Sequence, residues 1–285
     1  MIAVVVNRQA ARQTNASAFS KGGILFTGSP HMNSKLAALA LLFALIFAGQ
    51  ANAVQPGPDA AVAASKAATL LQAHIDSLRA KGRRPDYAAG PAADLFQRVF
   101  DLEALAALPG PTSHDLPWLL EWSEAANRSY KQMYLFGVPP GREPDEASLA
   151  LSVQAHQDQI VVALNFLMRL MARELDVSQL FMADLPKAER TAVRLAGFNG
   201  FRSLSGQFLY NALCATQSVT PRNAMVILTA IDDTRTTWIR DLSPENKKSA
   251  VAMLTTISHV GSDTQVTSAA NTLRENFVAQ PDLAN

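Results

Sequence analysis

Apolar residues recur at three- and four-residue spacing through most of the chain beyond residue 57, and no stretch alternates apolar with polar residues as a half-buried strand does. The pattern predicts a first helix from Pro58-Asp59 to about Ala80, with Leu70, Leu71, Ile75 and Leu78 on one face, ended by Gly82 ahead of Pro85. A second is expected over Ala92 to Leu108, carrying Leu95, Phe96, Val99, Leu102 and Leu105, stopped by Pro109-Gly110. A third, about Ser113 to Phe136, aligns Trp118, Trp122, Ala125, Ser129, Met133 and Phe136 in one stripe at about 100° per residue.

Residues 137–145 hold three prolines and two glycines, which exclude a helix and mark a subdomain boundary. Ala147 to about Leu175 is apolar on nearly every side and predicts a central, buried helix. The next helix follows Asp184 and Pro186 and runs to about Ala215. Thr220-Pro221 and Ser243-Pro244-Glu245 each pair a capping side chain with proline at the first helical position, and so open two more. The latter ends near Gly261, and Ser262 to Gln280 forms the last. Spacing between helices is irregular, with no repeat. The expected fold is all-α, an irregular bundle of about seven or eight helices packed around the fourth and fifth.

The region before residue 54 has a different character. Lys35 precedes Leu36 to Ala48, thirteen residues of only Leu, Ala, Phe and Ile, and Ala51-Asn52-Ala53 offers a small-residue cleavage site. Residues 32–53 therefore read as a secretory signal peptide, and the core is shorter than the roughly 20 apolar residues a spanning helix needs. An uncleaved anchor is the weaker reading. Residues 1–31 precede the natural start of such a signal; translation from Met32 accounts for them, and a transit peptide is the second reading. The working chain is then 54–285, a single helical domain of a periplasmic or secreted protein.

Composition narrows the partners. Four of the 25 basic residues and none of the 24 acidic ones fall before residue 54, so 54–285 carries 21 basic against 24 acidic residues, a formal charge of −3. That balance argues against a nucleic-acid partner. Cys214, the only cysteine, sits in the apolar stretch "LYNALCAT" and reads as a small buried hydrophobe. One thiol makes no internal bridge, so the core alone must stabilise the fold.

Chemical motifs are sparse. There is no HExxH, GxSxG, P-loop or dinucleotide fingerprint, and His74, His114, His156 and His259 never pair at metal-ligand spacing. No metal or cofactor is expected. Helical counting places His156 beside Ile160, Ala163 and Leu167, making it the one candidate general base; a hydrogen-bonded histidine at the end of the core is the plainer reading. Gln154, Asp158, Asn165, Arg169 and Arg173 form a polar stripe on the same helix, spread too far at 1.5 Å per residue to meet one small ligand. They are expected to make a seam, solvated or paired with a neighbouring helix, with a polar-lined ligand groove as the alternative.

Gly197, Gly200 and Gly206 predict close helix approach, with Gly197, Gly200, Leu204 and Asn211 on one face below Val193. Trp118 and Trp122, flanked by Tyr130 and Tyr134, form either core or a ligand shelf. Arg169, Asn211 and these tryptophans are the ligand candidates. Arg79, Lys81, Arg83 and Arg84 offset a helix dipole or meet an acidic surface such as lipid headgroups. The adjacent carboxylates Asp232 and Asp233 diverge on a helix and make a poor acid–base pair.

The functional expectation is an exported helical binding or interaction protein without catalysis, its protein or small-molecule partner unidentified. The alternatives are an envelope hydrolase using His156 with Ser203 or Ser205, and a helical inhibitor or assembly factor.

Overall fold

The computed structural model describes residues 58–135, 138 and 146–279, with 146–150 described by their backbone alone. The upstream segment, residues 32–53 that read as a signal peptide, and nearly all of 137–145 lie outside the described residues. Every regular element among those described is helical: α1 (Pro58–Ala80), α2 (Pro91–Val99), α3 (Leu102–Ala106), α4 (Leu116–Tyr134), α5 (Glu146–Asp184), α6 (Ala192–Ala215), α7 (Pro221–Asp233), α8 (Arg235–Asp241), α9 (Pro244–Val260) and α10 (Thr264–Ala279). A short 3₁₀ turn, Lys187–Glu189, joins α5 to α6. The all-α bundle is as the periodicity predicts.

α5 is the axis. Its 39 residues run between two groups of helices, with α4 packed on one side and α7 on the other. Between Ile160 and Ser178 all but Val162, Asn165, Arg169, Arg173 and Asp176 are buried. α1 lies behind α4 and carries α2. On the far side α7 carries α10, which packs on α9, and α9 in turn packs on α6. The apolar residues of all these layers join in one core.

The buried stripe of α1 consists of Ala61, Ala64, Ala67, Ala68, Leu71 and Ile75. Leu70, expected on that face, is instead half exposed. Alanines on α1 and Ala125 and Ala126 on α4 leave little side chain between the two backbones, so these helices approach closely. α1 ends where expected. Gly82 takes φ 65°, and the amides of Gly82 and Arg83 donate to Arg79 and Leu78, closing a Schellman cap that a residue with a Cβ would strain.

Three boundaries differ from the expectation. The helix expected over 92–108 is two, α2 and α3, because Phe100 turns inward against Phe96 and Phe166, and Asp101 caps a new helix by accepting the Ala104 amide at 2.8 Å. The central helix extends nine residues past Leu175, to Asp184. It is also broken at His156, whose φ of −133° and ψ of 29° are not helical. Finally, the helix opened by Thr220-Pro221 stops at Asp233 and α8 follows it. Thr234 marks that joint: its hydroxyl donates to the Ala230 carbonyl at 2.7 Å and accepts the indole N–H of the fully buried Trp238 at 2.8 Å.

Helix starts were legible. Thr220 and Ser243 cap α7 and α9, accepting the amides of Asn223 and Asn246, each followed by proline. The glycine expectation for α6 holds in part. Its buried face runs through Gly197, Phe198, Ser205, Gly206, Leu209, Ala212 and Leu213, while Val193 is 59% exposed and Asn211 half-buried. Close approach is seen at Gly206, where a Cβ would lie 2.2–2.8 Å from the side chain of Asn246 on α9. Cys214, expected to be buried, is only partly so; burial still raises its thiol pKa, against a hydrogen bond with Tyr210 that lowers it.

Candidate functional site

The polar residues of α5 converge on its neighbours. Immediately after the break at His156, Gln157 accepts the Thr220 amide at 3.1 Å and the Asn223 side-chain amide at 3.0 Å, and Asp158 accepts the same Asn223 amide at 2.7 Å. Two turns further on, Asn165 accepts from Arg169 at 2.8 Å, and the Arg169 guanidinium reaches Asp233 at the C-terminal end of α7. Asp176 then accepts the Thr237 hydroxyl at 3.0 Å and Arg240 at 2.8 Å from α8. The positions 158, 165, 169 and 176 recur at seven, four and seven residues, which keeps them on one side of a helix. The stripe is a seam paired with α7 and α8.

Arg173 departs from it. It turns to the head of α4, donating to the Pro109 carbonyl and lying 3.9 Å from Asp115. Burial lowers its guanidinium pKa, against the charges of Asp115 and Asp176.

The densest ionic group lies at the end of the seam. Asp241, 1% exposed, accepts from Gln179 of α5 and from Arg240, and Arg202 of α6 donates to its backbone carbonyl at 2.8 Å while its Nε sits 3.9 Å from the carboxylate. Three helices thus meet on one carboxylate. Sequence reasoning missed it, since Gln179, Arg202 and Asp241 are far apart along the chain and no local spacing links them.

The candidate base sits elsewhere. His156 is half-buried and packs edge-on against Tyr87, with ring centroids 5.1 Å apart. Burial and the positive charge of Arg84 hold its pKa below the ordinary value, and Asp86 pulls the other way. The break in α5 removes the basis for counting His156 onto the face of Ile160. Its ring meets the loop after α1 instead. Ser203 is exposed, and the buried Ser205 donates its hydroxyl to the Phe201 carbonyl at 2.9 Å. Neither serine is bonded to His156, whose ring lies against Tyr87.

The other candidates are accounted for as follows. Trp122 is fully buried and donates its indole N–H to the Val99 carbonyl at 3.0 Å, with the Phe166 ring tilted against it at 5.3 Å; it is part of the core. Trp118 is partly buried at the margin of that core. Asn211 accepts from Gln207 one turn earlier at 3.3 Å. Asp232 pairs with Arg235 and Asp233 with Arg169, so the two carboxylates diverge as expected. Arg79 pairs with Asp76, while Lys81, Arg83 and Arg84 are exposed beyond the end of α1.

Glu174 was not anticipated. It is 1% exposed between α4 and α5, and burial pushes its carboxyl pKa up to about 8, against a hydrogen bond from Ser123 that lowers it. A glutamate in the segment "LMARELDV", 100° around the helix from Arg173 and so off the polar stripe, was the available signal.

Among the described residues no cluster of three or more His, Cys, Asp or Glu side chains could hold a metal ion, and no helix is long and apolar enough to cross a membrane. Comparison with protein-family models, with curated proteins and with solved structures returned no match.

Proposed function

We propose that this is an exported helical protein that binds a partner and performs no catalysis of its own. One observation carries the reading: the outer face of α1 is open and holds two large exposed apolar side chains, with the exposed Lys66 between them. Val62 is 54% and Leu70 50% exposed, two turns apart on the side away from α4, with Ala63 and Ala73 exposed beside them. Lys66 is the only charged residue from Val62 to Ala73. Such a stripe suits the apolar face of another protein.

The polar groups that would serve chemistry are engaged in structural contacts. Arg169 is paired, the Ser205 hydroxyl is bonded within its own helix, and His156 packs against Tyr87. A hydrolase would need His156 beside a hydroxyl or carboxylate poised for attack.

A photo-crosslinking residue at position 70, with a control at the exposed Glu121, tests the partner. Adducts from the cell envelope at 70 and not at 121, identified by mass spectrometry, are the expected result; equal labelling at both positions would defeat the reading. Export is tested by the intact mass of the protein recovered from the envelope, expected to begin at Val54. A chain retaining earlier residues would overturn the cleavage.

A further inference from the structure

We propose that Glu174 is a buried proton-binding site: the α4–α5 interface closes around its neutral carboxyl and loosens when the proton leaves for solvent. The geometry points there first. Glu174 is 1% exposed, its Oε1 has no hydrogen-bond partner, and the Ser178 hydroxyl one turn further along α5 is equally buried and equally without one. Two orphaned oxygens on one helical face, four residues apart, suit a neutral acid that can donate as well as accept, or a shared internal water. An ionised carboxyl would leave Oε1 buried with no donor bonded to it, which is the costlier state.

No charge nearby stabilises the ionised form. From α4, Glu174 meets Ser123, whose own hydroxyl oxygen accepts from Asn127 at 3.3 Å. Asp115 at the head of α4 lies towards Arg173, the neighbour of Glu174 on α5. On α7, Asp233 is taken by Arg169 and Asp232 by Arg235. On α8, Arg240 lies between Asp241 and Asp176, and Arg202 of α6 also goes to Asp241. Burial is the leading cause of the upward shift to about 8, and no charged group contributes to it.

The sign follows from linkage. The folded chain holds this proton up to about pH 8, and the unfolded chain releases it near the ordinary value of 4.5. Between the two, the native state binds more protons than the unfolded state, so stability falls as pH rises. It falls by up to about tenfold in the folded-to-unfolded ratio per pH unit and levels off above pH 8. His156, with its lowered pKa, works in the opposite sense below about 6.5, so the comparison must be made against a variant changed only at Glu174.

The experiment is denaturant unfolding of the wild type and Glu174→Gln at pH 5, 6.5 and 8. The wild type is expected to lose stability relative to the variant at each step, and parallel profiles overturn the proposal. Carbon-13 NMR titration of the Glu174 carboxyl in the folded wild type decides the matter if the variant does not fold: a midpoint near 8 supports it, and one below 6 overturns it. Amide exchange at pH 9 tests the loosening. The α4 amides of the wild type should exchange faster than those of the variant, and equal rates overturn the opening.

Discussion

At the scale of single residues, side chains singled out as candidates make bonds that tie helices to one another. Trp122 stands for them. Its ring fills the space between α2, α4 and α5, and its N–H satisfies the Val99 carbonyl, which is otherwise free because α2 ends there. Trp122→Phe keeps most of the apolar contact but strands that carbonyl. A loss of about 1–3 kcal/mol is expected from denaturant unfolding, against about 3–5 kcal/mol for Trp122→Ala. An unchanged midpoint in the Phe variant would show the indole bond to be dispensable. A side chain of this type was readable from spacing; its bond to Val99, 23 residues earlier, was not. The face assigned to His156 was missed for another reason. Counting at 100° per residue assumes an unbroken helix, and the break falls on that residue.

At the scale of elements, small residues settle which faces meet. Leu71 and Ile75 lie on the core face of α1 as expected, but alanines fill the rest of it in place of Leu70, because short side chains allow close backbone approach. Gly206 does the same where α6 meets α9. Asn246 cannot easily retreat, since it donates to the Ser203 carbonyl and its own amide is held by Ser243. Gly206→Ala should therefore destabilise by about 1–3 kcal/mol despite the better helix propensity of alanine, and a gain in thermal midpoint would refute the packing account. Helix starts were legible because caps are local, as at Thr220 and Ser243. The α2/α3 and α7/α8 breaks were not, because Phe100 and Trp238 obey partners distant in sequence or in another turn.

The polar seam separates weak pairing from strong. Arg169 and Asp233 are 31% and 47% exposed, so Arg169→Met should cost at most about 1 kcal/mol. Asp241 is buried, and Asp241→Asn removes the charge that Arg240 and Arg202 share, leaving Arg240 with Asp176 and Arg202 with the backbone carbonyl of residue 241. About 3 kcal/mol is expected, at the low end for a broken buried pair because both guanidiniums are partly exposed. Unfolding curves of the two variants, compared side by side, give the check; similar losses would mean that burial does not set the worth of these pairs.

At the scale of the whole molecule, α5 belongs to both groups of helices at once. Phe166 meets Phe100 and Trp122 from one side, while Asp158, Arg169 and Asp176 are held from the other. Residues 137–145, which composition marked as a boundary between subdomains, therefore join two helices that pack directly on each other. The covalent link there is the lesser of the two ties. A protease site placed within 139–145 should yield two pieces that still co-elute at the mass of the intact protein, because cutting removes one peptide bond and exposes none of the α4–α5 contact. Separately expressed pieces should find each other as well, reconstituting the bundle from an amino-terminal fragment whose exposed α4 is a ready-made template for the missing α5.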